Sequence, residues 1–289
     1  RCVDSILNQE YTELEIFCRE DSTDHEMIAM NHSFHGRTMG ALSVTGNPHY
    51  QEAFQPLIGG VKFAEFNNLE SVKALVTDKT CAILLEPVQG EGGIYPAEES
   101  FLKGLRQLCD EKDILLIFDE IQCGMGRTGE MFAWQRFGVE PDIMTVAKAL
   151  GCGLPIGAFL CKEKAAALEA GDHGSTYGGN PLVCAAASKI LDIFRQDHIL
   201  DHVKEAGAYL YDQLEQLKNR HQDKIVDHRG VGLIQGLEFT GPVGPIIQRA
   251  MNKGLILISA EANTIRFLPP LIVEKTHIDE MIRILEQSI

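Results

Sequence analysis

The chain reads as α/β: a mainly parallel sheet with helices on both faces, followed by a smaller C-terminal α+β unit. Three observations carry this reading. Short apolar runs at 81–85, 114–118 and 143–147 have the length and β-rich composition of buried parallel strands. Each ends in charged or polar residues: Glu86, then Asp119-Glu120-Ile121-Gln122, then Lys148. Helical spacing separates them, as at Leu102, Leu105, Leu108 and Cys109, and strands alternating with helices give a doubly wound sheet.

Taken in order, Met27-Ile28-Ala29-Met30 is a short strand and residues 31–38 a loop. Residues 57–66 hold a loop and a strand. Residues 151–157 and 174–180 are too glycine-rich for helix and form turns. Asn180-Pro181 supplies an N-cap and an N1 proline for a helix through Phe194. Residues 199–221 form a further amphipathic helix. Strands are expected at 231–239, 255–258 and 264–268, a helix at 245–253, and a last helix capped by Thr276 and running to Gln287. The expected domains are 25–195, incomplete at its N-terminus, and 196–289. Residues 1–24 fit neither. Their run Cys2 to Gln9, with Leu14-Glu15-Ile16-Phe17 and Asp21-Ser22-Thr23-Asp24, resembles the opening of family-two glycosyltransferases, and they are read as a foreign leader.

With 26 basic and 41 acidic residues, the net charge of −15 argues against binding nucleic acid or an anionic membrane surface. No apolar run approaches a membrane span. The eight cysteines include no CxxC pair; Cys81, Cys109, Cys161 and Cys184 lie in apolar runs and read as reduced core residues of a cytosolic protein. His198 and His202 have a metal-ligand spacing but no matching glutamate, and their acidic neighbours mark an outer face, so no metal site is expected.

In open α/β sheets ligands sit at the C-terminal strand edge, where this sequence delivers one acid and one lysine. Lys148, between apolar neighbours, is expected to be desolvated and nucleophilic, a Schiff-base former. Asp119 suits a partner for a protonated pyridine nitrogen, Gln122 a donor to a ring oxygen, and Ile121 and Phe34 the two ring faces. Ser175 and Thr176, in a glycine loop, suit an oxyanion or phosphate. Arg266, mid-strand, and Arg37 are candidate carboxylate readers; Glu86 is the candidate partner of Arg266.

Six blocks, SFHGRT (33–38), LLEPVQGEGG (84–93), FDEIQCGMGRTG (118–129), VAKALGCGLPIGA (146–158), HGSTYGGNP (173–181) and IRFLPPL (265–271), resemble in this order the class III aminotransferases that use pyridoxal phosphate. Within the class they look most like members of arginine biosynthesis that exchange an amino group between N-acetylornithine and 2-oxoglutarate; members acting on ornithine or 4-aminobutyrate are the alternative. The resemblance implies a fold-type-I homodimer with active sites at the subunit interface, in the cytoplasm. It makes Lys148 the Schiff-base lysine and places Phe34, Asp119, Glu120, Ile121 and Gln122 on the cofactor. Thr176 would reach the phosphate of the neighbouring subunit's cofactor. Arg37 and Ser175 would contact the amino donor, and Arg266, alternating with Glu86, the α-carboxylate of glutamate. Cys152 stands where the family usually has glycine. The family's phosphate-binding turn precedes SFHGRT and has no match in residues 1–26, so weak cofactor binding and an impaired or non-catalytic fragment are expected.

Overall fold

The computed structural model describes residues 25–289 and the backbone of Ile6–Leu7 (β1). The reading of residues 1–24 as a leader otherwise lies outside the described residues.

After β1 the chain forms β2 (Glu26–Met30), the short helices α1 (Met39–Ser43) and α2 (Pro48–Gln51), β3 (Val61–Ala64), α3 (Leu69–Leu75) and β4 (Thr80–Leu85). A small hairpin, β5 (Val88–Gln89) and β6 (Tyr95–Pro96), precedes α4 (Glu99–Lys112), β7 (Leu115–Asp119), α5 (Ala133–Phe137), β8 (Ile143–Val146) and β9 (Gly157–Cys161). The large sheet has the order β1-β9-β8-β7-β4-β2-β3. Strands β3, β2, β4, β7 and β8 are parallel, and β9 and β1 add antiparallel at one edge. Side chains alternate across it. Ile28, Met30, Ile83, Leu85, Leu116 and Phe118 pack with Leu102 and Leu105 of α4, while Ala29, Ala82, Leu84 and Ile117 pack on the other face with Val44.

The remainder comprises α6 (Pro181–Gln196), α7 (Ile199–Arg220), β10 (Ile225–Val231), β11 (Ile234–Phe239), α8 (Gly244–Asn252), β12 (Ile258–Ala260), β13 (Thr264–Phe267) and α9 (Lys275–Glu286). The four strands form an antiparallel sheet ordered β10-β11-β13-β12. Ile199, Val203, Ala206, Leu210, Leu214 and Leu217, three or four apart on α7, bury one stripe against this sheet and α9. Asn180 caps α6 by accepting from the Val183 N–H, and Pro181 is its first residue, as expected.

Several expectations are corrected. The strand expected at 231–239 is the second half of a hairpin: Gly232, at φ +56°, turns the chain between β10 and β11. The strand expected at 255–258 is β12, starting at Ile258. Helix α9 starts two residues earlier than expected, with Glu274 rather than Thr276 in the capping position. Cys109 is a buried core thiol, but Cys161 is exposed because it ends β9 near the sheet edge, and Cys81 and Cys184 are half-buried.

Candidate active site

Because β2, β4, β7 and β8 are parallel, the loops that follow them open on one edge of the sheet. These loops line a cavity of about 610 Å³: Phe34, Gly36 and Arg37 after β2, Glu86 after β4, Ile121 and Gln122 after β7, and Lys148 after β8. Asp119, the last residue of β7, forms part of its wall.

Asp119 is 5% exposed and held from three directions. Its Oδ1 accepts from the Ile121 N–H at 3.0 Å and the Thr145 hydroxyl at 3.3 Å, and Oδ2 lies 2.8 Å from His35 Nδ1. A carboxylate has about four acceptor positions, so one remains for a group in the cavity. His35 is buried as well. Burial disfavours its charged form, but the Asp119 hydrogen bond and the charges of Asp119 and Glu86 outweigh this and hold its proton above the ordinary imidazole range. Its Nε2 is buried with no hydrogen-bond partner.

Lys148 reaches the same cavity, but not as a desolvated amine. Its φ of +46° ends β8 in a left-handed turn, which carries the side chain to the open mouth, where it is exposed. Phe34 and Ile121 supply apolar surface. Arg37 stacks over the Tyr50 and Phe34 rings, at 4.4 and 5.2 Å from their centroids, with its guanidinium exposed toward solvent.

Two expected roles do not match this geometry. Glu120 turns away from the cavity. Its carboxylate accepts from the Ala133 and Trp134 N–H groups at the start of α5, and burial pushes its pKa up to about 7 in spite of them. It is a helix cap, because successive residues at a strand end point to opposite sides. Glu86 is not the partner of Arg266. Its oxygens accept from the Phe34 N–H at 3.0 Å and the Gly90 N–H at 3.2 Å, and burial, opposed by His35 and these donors, raises its pKa to about 7. Arg266 instead donates from Nη1 to Glu91 at 2.6 Å and to the Gln122 side-chain oxygen at 3.2 Å. The turn after Glu86 presents the glutamate five residues on to β13. Arg266 stands behind Glu91 and Gln122 and is not itself in the cavity wall.

Ser175 accepts from the Gly178 N–H within its own loop, and Thr176 is exposed; neither lines this cavity. Sequence reasoning missed His35 and Glu91. His35 lines the cavity beside Phe34, against Asp119, and its place in the polar loop after β2 is a signal available from the sequence.

Fold and site together define a pyridoxal-phosphate type of centre: a buried acid at a strand end, a lysine opposite it, apolar walls for a flat ring, and a guanidinium nearby. The residues present fit such a ring, since Asp119 keeps a free acceptor position and the cavity has room for it. The chain belongs to the class III aminotransferases: the family described as "Aminotransferase class-III" matches residues 12–289. It is 52% identical over 271 residues to the acetylornithine aminotransferase of Clostridium acetobutylicum, covering 93% of this chain and 70% of that protein. It is 50% identical over 265 residues to the acetylornithine aminotransferase of Methanocaldococcus jannaschii, covering 91% and 66%. Among solved structures it resembles an ornithine aminotransferase from Toxoplasma gondii, described with partial occupancy of pyridoxal phosphate at its active site, with a TM-score of 0.88 at 29% identity, covering 93% of this chain and 65% of that one. The chain thus spans about two thirds of the length of these relatives.

Proposed function

We propose that this site transfers an amino group between N-acetylornithine and 2-oxoglutarate. The observation that carries the reading is that Asp119 and Lys148 line one cavity, with Arg266 paired to Glu91 and hydrogen-bonded to Gln122 beside it. Pyridoxal phosphate would be held by Asp119 at its ring nitrogen, by Phe34 and Ile121 on its faces, by Gln122 at its ring oxygen and covalently by Lys148. When bound it supplies the electron sink that lets the proton on the amine-bearing carbon leave.

The chain's own residues do the rest. His35 donates to Asp119 and fixes the orientation of its carboxylate. Lys148 Nζ, at the mouth, is placed to take the proton from the donor carbon and return it to the cofactor side. Arg37 faces the distal end of the amino donor. Glu91 neutralises Arg266 while the substrate carbon carries no carboxylate and releases it for the α-carboxylate of glutamate. This assigns to Glu91 the role expected of Glu86.

The relatives' names support the acetylated donor. A homodimer in the cytosol, with Thr176 facing the neighbouring subunit's cofactor, belongs to the same reading. It is supported by the exposed apolar side chains Leu154, Tyr177 and Leu182 on the segments around the cavity mouth and Thr176. No described helix is long and apolar enough to cross a membrane. The reading also takes 25–195 and 196–289 as the two domains, which follows the division between the two larger sheets.

The test is borohydride reduction of the chain with pyridoxal phosphate, followed by peptide mapping and by assay of N-acetylornithine against free ornithine. Label on Lys148, lost in Lys148→Ala, and preference for the acetylated amine are expected. Label elsewhere ends the lysine assignment, and preference for free ornithine moves the chain to that branch of the family.

A further inference from the structure

We propose that Arg229 is a positioning residue that holds Glu91 against Arg266 and so sets how readily the site admits a ligand carboxylate. This rests on the aminotransferase reading above.

The small sheet brings Arg229, Gly236 and Arg266 into one row: Arg229 pairs with Gly236, and Gly236 with Arg266. Residues directly opposite in antiparallel ladders present their side chains on the same face. The middle position has no side chain, and Ile94 lies over it. A Cβ placed on Gly236 would stand 3.1 Å from the Cβ of Ile94. Ile94 is fully buried at φ +60°, a conformation that is strained for a β-branched residue and persists only where its surroundings over-determine it.

Val88, Cys123, Ala133, Val231 and Ile234 surround Ile94, and the two arginines hold the residues on either side of it. Arg266 binds Glu91 at 2.6 Å. Arg229 donates from Nε to the Gly93 carbonyl at 2.8 Å and lies 3.9 Å from the centroid of the Tyr95 ring. Its Nη1 is anchored by Asp227 at 2.8 Å and Glu238 at 2.6 Å, on β10 and β11. One row of the sheet therefore grips the loop at Glu91, Gly93, Ile94 and Tyr95. Arg229 does not line the cavity and touches no substrate position. Without its fork the Gly93 carbonyl loses its donor and the ring its cation. Glu91, four residues before the start of β6, is then free to leave Arg266. A lysine keeps the charge but cannot serve the carbonyl, the ring and two carboxylates together.

The experiment compares wild type, Arg229→Met, Arg229→Lys, Glu91→Gln and the Arg229→Met/Glu91→Gln pair. Amide hydrogen exchange is read on the chain alone. Calorimetric binding is read with cofactor present, using 2-oxoglutarate and 4-oxopentanoate, which has a methyl where 2-oxoglutarate has its α-carboxylate. In Arg229→Met, exchange across residues 91–95 is expected to rise about tenfold, with a smaller rise in Arg229→Lys. The preference for 2-oxoglutarate over 4-oxopentanoate is expected to increase roughly three- to tenfold, and this increase to vanish in the Glu91→Gln background. Unchanged loop exchange overturns the proposal, as does an equal shift for both ligands or a full effect without the Glu91 charge. If Arg229→Met does not fold, Arg229→Lys is judged by the same two readouts. A folded wild type that binds neither ligand sinks the aminotransferase reading instead, and loop exchange then decides the clamp alone.

Discussion

Replacing Glu91 by glutamine removes the charge opposite Arg266 while keeping the size of the side chain. Arg266 is 6% exposed and its Nε has no hydrogen-bond partner, so Glu91 is its one carboxylate partner among the described residues. Removing one side of a fully buried ion pair costs about 3–5 kcal/mol. The Glu91 side chain is 30% exposed, and solvent screens part of the pair. Discounting by half leaves about 2 kcal/mol. An incoming α-carboxylate restores the lost partner, whereas the reacting carbon of acetylornithine offers none. At about 1.4 kcal/mol per decade, the kcat/KM ratio of glutamate to acetylornithine should rise roughly thirtyfold. Each half-reaction is measured separately by the absorbance of the cofactor. The unliganded variant should melt about 4–8 °C lower, and 2-oxoglutarate should restore much of the loss. Equal losses on both substrates, with no thermal shift, would refute the gate. A Glu86→Gln variant that reproduced the specificity change would return the role to Glu86.

Other outcomes follow from the same geometry. Glu86 and Glu120 have folded pKa values near 7 against an ordinary 4.5. The folded state thus binds more protons than the unfolded one between these values, and stability falls as pH rises through this window. The penalty is absent below about 4.5 and complete above about 7, on the order of 3 kcal/mol for each group at 1.36 kcal/mol per pH unit. His35, raised by Asp119, adds a loss in the same direction, and denaturant midpoints measured from pH 5 to 8 should show the fall. Asp142 behaves oppositely: although burial raises it, the Leu116 N–H, Lys164 and Arg106 lower its pKa below 3.8, so its contribution is present above that value and is lost as pH drops through the lower folded value. Asp142→Asn should cost about 3 kcal/mol near neutral pH, read as a lower denaturant midpoint with an unchanged slope. In Gly90→Ala the new methyl would meet the Gln122 side-chain oxygen at 1.9 Å. Because that is the end of a flexible side chain, the protein should fold, with Gln122 displaced and cofactor affinity reduced about tenfold in a spectroscopic titration.

Much of the architecture is legible in local sequence. The apolar runs of β4, β7 and β8, the alternation of their faces, the Asn180-Pro181 start of α6 and the α7 stripe all depend on residues within a few positions of one another. So does the delivery of Asp119 and Lys148 to one sheet edge, since parallel strands must end on the same side. The partner choices do not depend on nearby residues. Glu86 and Glu91 lie in one glycine-rich loop and are equally plausible as partners for an arginine 175 or 180 positions later. What separates them is the path of the turn, which buries Glu86 against the Phe34 and Gly90 N–H groups and carries Glu91 to β13. The desolvation expected of Lys148 fails for a similar reason, because apolar neighbours in sequence do not cover a side chain that a left-handed residue turns toward the mouth. Sequence by itself determined the strands, their faces and the chemistry at their ends. Tertiary structure alone decided which charges meet, because an ion pair depends on ångström distances between segments whose separation along the chain carries no periodic signal.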